Sequence, residues 1–199
     1  MAKNLKPPED KIFWKNLWNK MKKRNVKDFR ISQKDINGLS DGDMIAAVIL
    51  PIWPSGIEED ELDRISQGTP GQRALYCITL FMREVNNGGI EQFLRNSSGM
   101  YINEVLKGLD LVGARKDLEI VKEALKIFPD GEVPIDWDER DEMLDEQLEK
   151  LGIAEIEYFD KFNEKLFGEE RFYPLFIEYI KKHEDEFFYD AEQKKRGEK

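Results

Sequence analysis

The stretch TPGQRALYCITLFMREVNNGGIEQFLRNSSG, residues 69–99, decides the fold. Thr69 followed by Pro70 has the form of an N-cap and a first-turn proline, where the missing N–H would have had no helical partner anyway. Behind it Ala74, Cys77, Ile78, Phe81, Met82 and Val85 recur at three- and four-residue steps, which puts them on one face of a helix. Asn86-Asn87-Gly88-Gly89 stops that helix. Ile90 to Arg95, with Phe93 inside it, predicts a short helical piece that Asn96-Ser97-Ser98-Gly99 stops in turn. Asn-Gly can close a hairpin between strands, but both flanks here have helical period, so the step reads as a helix–helix turn. Gly88 and Gly89 allow the positive φ that ends one helix and aims the next. Asn86, Gln92, Asn96 and Ser97 can satisfy the orphan backbone groups at such ends. The run therefore reads as structural, with an unknown ligand site framed by its amides as the alternative.

The same period extends outward in both directions. Ile102, Val105, Leu106, Leu109 and Val112 mark a helix ending near Gly113. Leu118, Val121, Leu125 and Phe128 mark another, ended by Pro129-Asp130-Gly131, with a loop to about Asp138. Met143, Leu144, Leu148 and Leu151 stop at Gly152; Ile156, Phe159, Phe162 and Leu166 stop at Gly168. Phe172, Leu175, Phe176, Tyr179, Ile180, His183 and Phe187 predict one long closing helix with His183 on its apolar face. Upstream, Asp41 to Ile52 predicts a short helix and residues 57–67 an acidic one, while 25–40 read as a polar connection. Trp14, Leu17, Trp18 and Met21 have amphipathic helical spacing. No segment alternates with period two over five or more residues between turn signals, and there is no internal repeat at fixed period. The expected fold is all-α, a compact single-domain bundle of about eight to ten helices with short connections. Its expected organisation is a basic arm over 1–40, an acidic helical domain over 41–190 and a charged tail over 191–199.

Composition excludes several classes. One cysteine, Cys77, cannot form an intrachain disulfide, and one histidine, His183, cannot supply a two-histidine metal site. No apolar run approaches the roughly 20 residues of a membrane span, and the N-terminus leads into charge instead of an apolar signal core. A cytoplasmic protein without metal or cofactor is expected. Phosphate-loop, dinucleotide and nucleophile-elbow motifs are absent, and no catalytic residue is assigned.

Charge is strongly segregated. Residues 1–34 carry 11 Lys and Arg against 3 Asp and Glu, whereas the whole chain has 31 against 41. Residues 132–170 hold 15 acidic and 4 basic residues. Glu142, Asp145, Glu146 and Glu149 stand at i, i+3, i+4 and i+7, so four carboxylates share one helix face. Such like-charge pairs destabilise a helix by roughly 0.2–0.5 kcal/mol each. Asp138 and Asp141 precede them, and Glu157, Asp160 and Glu164 repeat the pattern on the next helix, with Lys161 and Lys165 compensating in part. These rows read either as a solvated face or as a surface matched to a basic partner. The basic arm reads either as a membrane-surface helix or as a segment that folds onto its own acidic body.

The run Glu84 to Gly99 resembles the signature of a bacterial all-helical family, formerly a domain of unknown function and now named for a DNA-mimic protein. Gly108 to Ala114, Ile127-Phe128-Pro129, the Phe159-Asp160 step and Tyr179 to Glu184 extend the resemblance over about residues 60–190. It implies a non-enzymatic acidic protein that occupies the nucleic-acid-binding surface of a basic DNA-binding protein, such as a transcriptional regulator. The basic arm departs from such a mimic. The expected partners are that regulator or another basic protein, with a homodimer as a further arrangement and no nucleic acid bound by the acidic body. The competing readings are an immunity-type or scaffold protein docking a basic toxin or enzyme, and an enzyme with an unrecognised carboxylate site.

Overall fold

The computed structural model describes residues 29–52 and 61–190. Among them the chain is all-α, with nine α-helices in a single packed bundle. In chain order these are α1 (Asp41–Ile49), α2 (Glu61–Gln67), α3 (Pro70–Arg95), α4 (Ile102–Leu111), α5 (Arg115–Ala124), α6 (Trp137–Leu151), α7 (Glu155–Leu166), α8 (Tyr173–Lys182) and α9 (Glu184–Phe187). The amphipathic segment with Trp14, Leu17, Trp18 and Met21 lies outside the described residues, as does the tail from Ala191. No helix of the described residues is long and apolar enough to cross a membrane.

The axis of the bundle is α3. Its start is a capping box: the Thr69 hydroxyl accepts the Gln72 N–H at 3.2 Å, and the Gln72 amide oxygen accepts the Thr69 N–H. α4, α7, α6, α1 and α9 all pack against it. Leu75, Cys77, Ile78, Phe81, Met82 and Val85 on α3 are completely or almost completely buried. Phe81 meets Phe93 edge to face, with ring centroids 4.9 Å apart. α3 breaks at the expected place, but the two glycines differ. Gly88 is extended (φ −165°), and only Gly89 takes a positive φ, at φ 84° and ψ 177°. That region belongs almost exclusively to glycine. The short piece after it is capped from outside, because the Ile90 N–H donates to Asn163 Oδ1 on α7 at 2.9 Å.

Two expectations are corrected. Residues 29–40 are not a free polar connection: Phe29 and Ile31 are buried, and Ile31 pairs in parallel with Phe188. The Ile31 N–H donates to the Phe187 carbonyl at 2.9 Å, and the Gln33 N–H donates to Asp190 Oδ1 at 2.8 Å. Among residues 29–40 only Phe29, Ile31, Ile36 and Leu39 are apolar, too few to show as a pattern, yet the alternation of Phe29 and Ile31 suits one extended bridge. The closing helix is not continuous, because His183 (φ −126°, ψ 43°) separates α8 from α9. His183 is therefore half exposed, stacked on Tyr179 with centroids 4.2 Å apart and with Nδ1 3.6 Å from Glu186. α6 starts at Trp137, within one residue of the expected end of the loop, and the Asp136 side chain caps it by accepting the Glu139 N–H at 3.0 Å.

Candidate functional site

α6 divides its charges by face. Arg140, Leu144 and Leu148 stand four residues apart and form the buried stripe. Arg140 has no exposed surface, and its guanidinium is satisfied by main-chain carbonyls alone. Its Nε donates to Leu94 at 2.6 Å, Nη2 to Asn96 at 2.9 Å, and Nη1 to Pro134 and Ile135, both at 2.9 Å, and to Asp136 at 3.3 Å. Burial pulls its pKa below the ordinary value, against the opposing pull of Asp136 and Asp141. It remains a cation, as arginine does in proteins. Gly99 belongs to this arrangement: a Cβ there would come within 2.6 Å of Arg140 Nε.

On the flank facing α3, Arg95 gathers three carboxylates. Nη1 reaches Asp141 at 2.6 Å, Nη2 reaches Asp145 at 2.6 Å and Nε reaches Glu155 at 2.7 Å. Burial opposes the Arg95 charge, but the hydrogen bonds it donates to Glu155, Asp145 and Asp141 outweigh it and hold the guanidinium above its already high ordinary value. Asp141 and Asp145 thus serve the joint between α3, α6 and α7.

The outer face is different. Asp138, Glu142, Glu146 and Glu149 are exposed. Glu146 pairs with Lys150 at 3.4 Å. Among the described residues, Asp138, Glu142 and Glu149 have no ion-pair partner. Glu157, Asp160 and Glu164 line the exposed side of α7. The Lys161 ammonium, expected to offset them, sits over the rings of Tyr158 (5.1 Å) and Phe162 (4.8 Å).

The amides of the Asn86–Gly99 run are turned inward on the protein itself. Asn86 Oδ1 accepts the Gly168 N–H at 3.1 Å, and Asn87 Nδ2 donates to Gln92 Oε1 at 3.1 Å. Gln92 Nε2 and Asn96 Nδ2 both donate to Glu84 Oε2. Phe93 is buried, and Ser97 is exposed at the start of the 3-10 turn Ser97–Tyr101. Three residues central to this joint were not singled out in the sequence: Arg95, Arg140 and Asn163. Arg140 and Asn163 carry a usable signal, since each sits in register with an apolar stripe. Asn163 is 6% exposed and uses both ends of its amide, accepting from Ile90 and donating to Glu91 Oε2 at 2.8 Å.

A family model described as DMP19-like protein matches residues 66–183, more than half of the chain and within the span of the resemblance. No curated protein and no solved structure matches it.

Proposed function

The chain belongs to the DMP19-like protein family, and from that membership we propose that it is a non-enzymatic acidic protein that docks on a basic DNA-binding protein and occupies its nucleic-acid surface. The observation that carries this reading is the unpaired outer row of α6. A scaffold that uses Asp141 and Asp145 in its own joint still leaves Asp138, Glu142 and Glu149 facing water without a counter-charge among the described residues. Carboxylates four residues apart on a helix are about 6 Å apart along its axis. Duplex DNA presents one charge per roughly 1.7 Å of axis over both strands. The α6 and α7 rows follow that charge more sparsely, and backbone contacts of a DNA-binding protein read charge before sequence.

The test is the double reversal Glu142→Lys with Glu149→Lys, chosen because neither residue has an ion-pair partner to lose among the described residues. The full chain, immobilised and used to capture proteins from its host at low and high salt, should retain a basic DNA-binding protein that duplex DNA displaces. The reversal should weaken that capture strongly at low salt and less at high salt, where screening already weakens exposed contacts. Stability should stay within about 0.5 kcal/mol of wild type, as for surface changes generally. Equal capture by wild type and the reversal would remove this face from function. Capture only of proteins that duplex DNA does not displace would remove DNA mimicry.

A further inference from the structure

Immediately before and at the start of α6, two large apolar side chains are held out in solvent on a rigid support. Ile135 is 59% exposed and Trp137 52% exposed, within three residues of each other. Isolated exposed hydrophobics are ordinary on a protein surface, but these two stand on backbone that the fold clamps from below. The carbonyls of Pro134, Ile135 and Asp136 all accept from the buried Arg140 guanidinium. The Trp137 indole N–H donates to the Arg95 carbonyl at 2.6 Å, which fixes the ring. With its N–H used, the indole has its flat π surface and edge left to offer. The flank of this pair is acidic: Asp138, Asp141 and Glu142 follow on α6, and Asp138 and Glu142 lack an ion-pair partner among the described residues.

From this juxtaposition we propose that Trp137, supported by Ile135, is the apolar anchor of the docking face, and that it takes an arginine presented by a basic protein segment. The guanidinium lies flat on the indole while Asp138 and Glu142 receive its N–H groups. This rests on the acidic-docking reading and specifies the partner's chemistry. Two physical reasons favour arginine, and a third favours Trp137 as the anchor. An arginine guanidinium stacks on an aromatic face and is weakly hydrated, so it gives up its water more readily than an ammonium does. Its aliphatic stem can cover Ile135. A side chain already immobilised in the free protein loses little entropy on binding, which is how a few aromatic anchors come to dominate interfaces.

The test uses the 199-residue chain with Trp14, Trp18 and Trp53 replaced by phenylalanine, so that Trp137 is the sole tryptophan and can be excited selectively over tyrosine. Octa-arginine and octa-lysine peptides are titrated at low and high salt. Octa-arginine should change Trp137 emission saturably and bind more tightly than octa-lysine. In the natural-tryptophan background, with affinity read by calorimetry, Trp137→Ala should weaken octa-arginine binding at least fivefold. Ile135→Ala, which loses no hydrogen bond, should weaken it about twofold to threefold. The ratio between wild type and Trp137→Ala should persist at high salt, whereas the effect of Glu142→Lys with Glu149→Lys should shrink. Circular dichroism establishes that each variant keeps its helices. If Trp137→Ala and Ile135→Ala bind as wild type does while the charge reversal weakens binding, the anchor is overturned and acidic docking stands. If no variant alters the affinity, both are overturned.

Discussion

The seam where α3 meets α6 and α7 and the outer faces of those same two helices are both rich in charge, but they treat it in opposite ways. At the seam every charge has a designated partner. Arg140 is enclosed by five carbonyls, and Arg95 by Asp141, Asp145 and Glu155. On the outer faces Asp138, Glu142 and Glu149 have none among the described residues. A buried charge is tolerated only when paired or fully hydrogen-bonded, so the seam is constrained by folding. An exposed carboxylate is solvated by water and costs little to leave alone, so the outer rows are available for another purpose. Counting acids along the helix merges these two populations; burial and partner geometry separate them.

That separation can be broken most forcefully at Arg140. Arg140→Met should cost on the order of 3–5 kcal/mol, because it leaves several buried carbonyls unpaired at roughly 1–3 kcal/mol each. A denaturant titration reads the loss, and a change under about 1 kcal/mol would show that the carbonyl cage is not needed. Next comes the turn that delivers Arg95 to the seam. Gly89→Ala should cost roughly 1–3 kcal/mol, since alanine is strained at that φ and ψ and its Cβ would meet Asn163 Nδ2 at 2.5 Å. Gly88→Ala should cost clearly less, because its extended backbone suits any residue and the Gln92 amide it would touch can turn aside. Equal losses at the two glycines in thermal melts would refute this asymmetry.

Arg95→Gln should cost roughly 1–2 kcal/mol, in the range of a charge-assisted hydrogen-bond network. Part of that loss should be recovered in salt, which screens the three carboxylates left facing one another. A loss that salt does not change would mean that packing, not charge, holds this joint. The smallest effect is expected at Asp190, a carboxylate on the surface that nevertheless has partners. The Gln33 N–H holds it below the ordinary carboxylate range against a desolvation that raises it, and the Ser32 hydroxyl helps. A depressed folded pKa contributes stability above the unfolded pKa that is lost as pH falls through the folded value. Asp190→Ala should therefore cost up to about 1 kcal/mol at neutral pH and lose that difference on acidification below the carboxylate range. A pH-independent difference between the two melting curves would count against the charge.

The helical fold was legible in the sequence wherever apolar residues recurred along a helix face between strong stops. Thr69-Pro70, Gly113, Gly152 and Gly168 all fall at helix boundaries. Local chemistry suffices there, because caps and breakers act within a few residues of where they stand. The acidic rows were legible for the same reason, since helical period alone says which residues share a face. The sequence did not say which carboxylates were already taken. Asp141 and Asp145 lie beside Glu142 and Glu146 in the chain, but Arg95 stands 46 residues before Asp141. Likewise the register with Leu144 and Leu148 puts Arg140 on the apolar face, but nothing local names its five acceptors, which come from the end of α3 and the loop before α6. Burial of a charge depends on donors and acceptors converging from distant parts of the chain. Periodicity determines the face a side chain occupies; only the packed structure determines whether that face meets water, a carbonyl or a counter-charge.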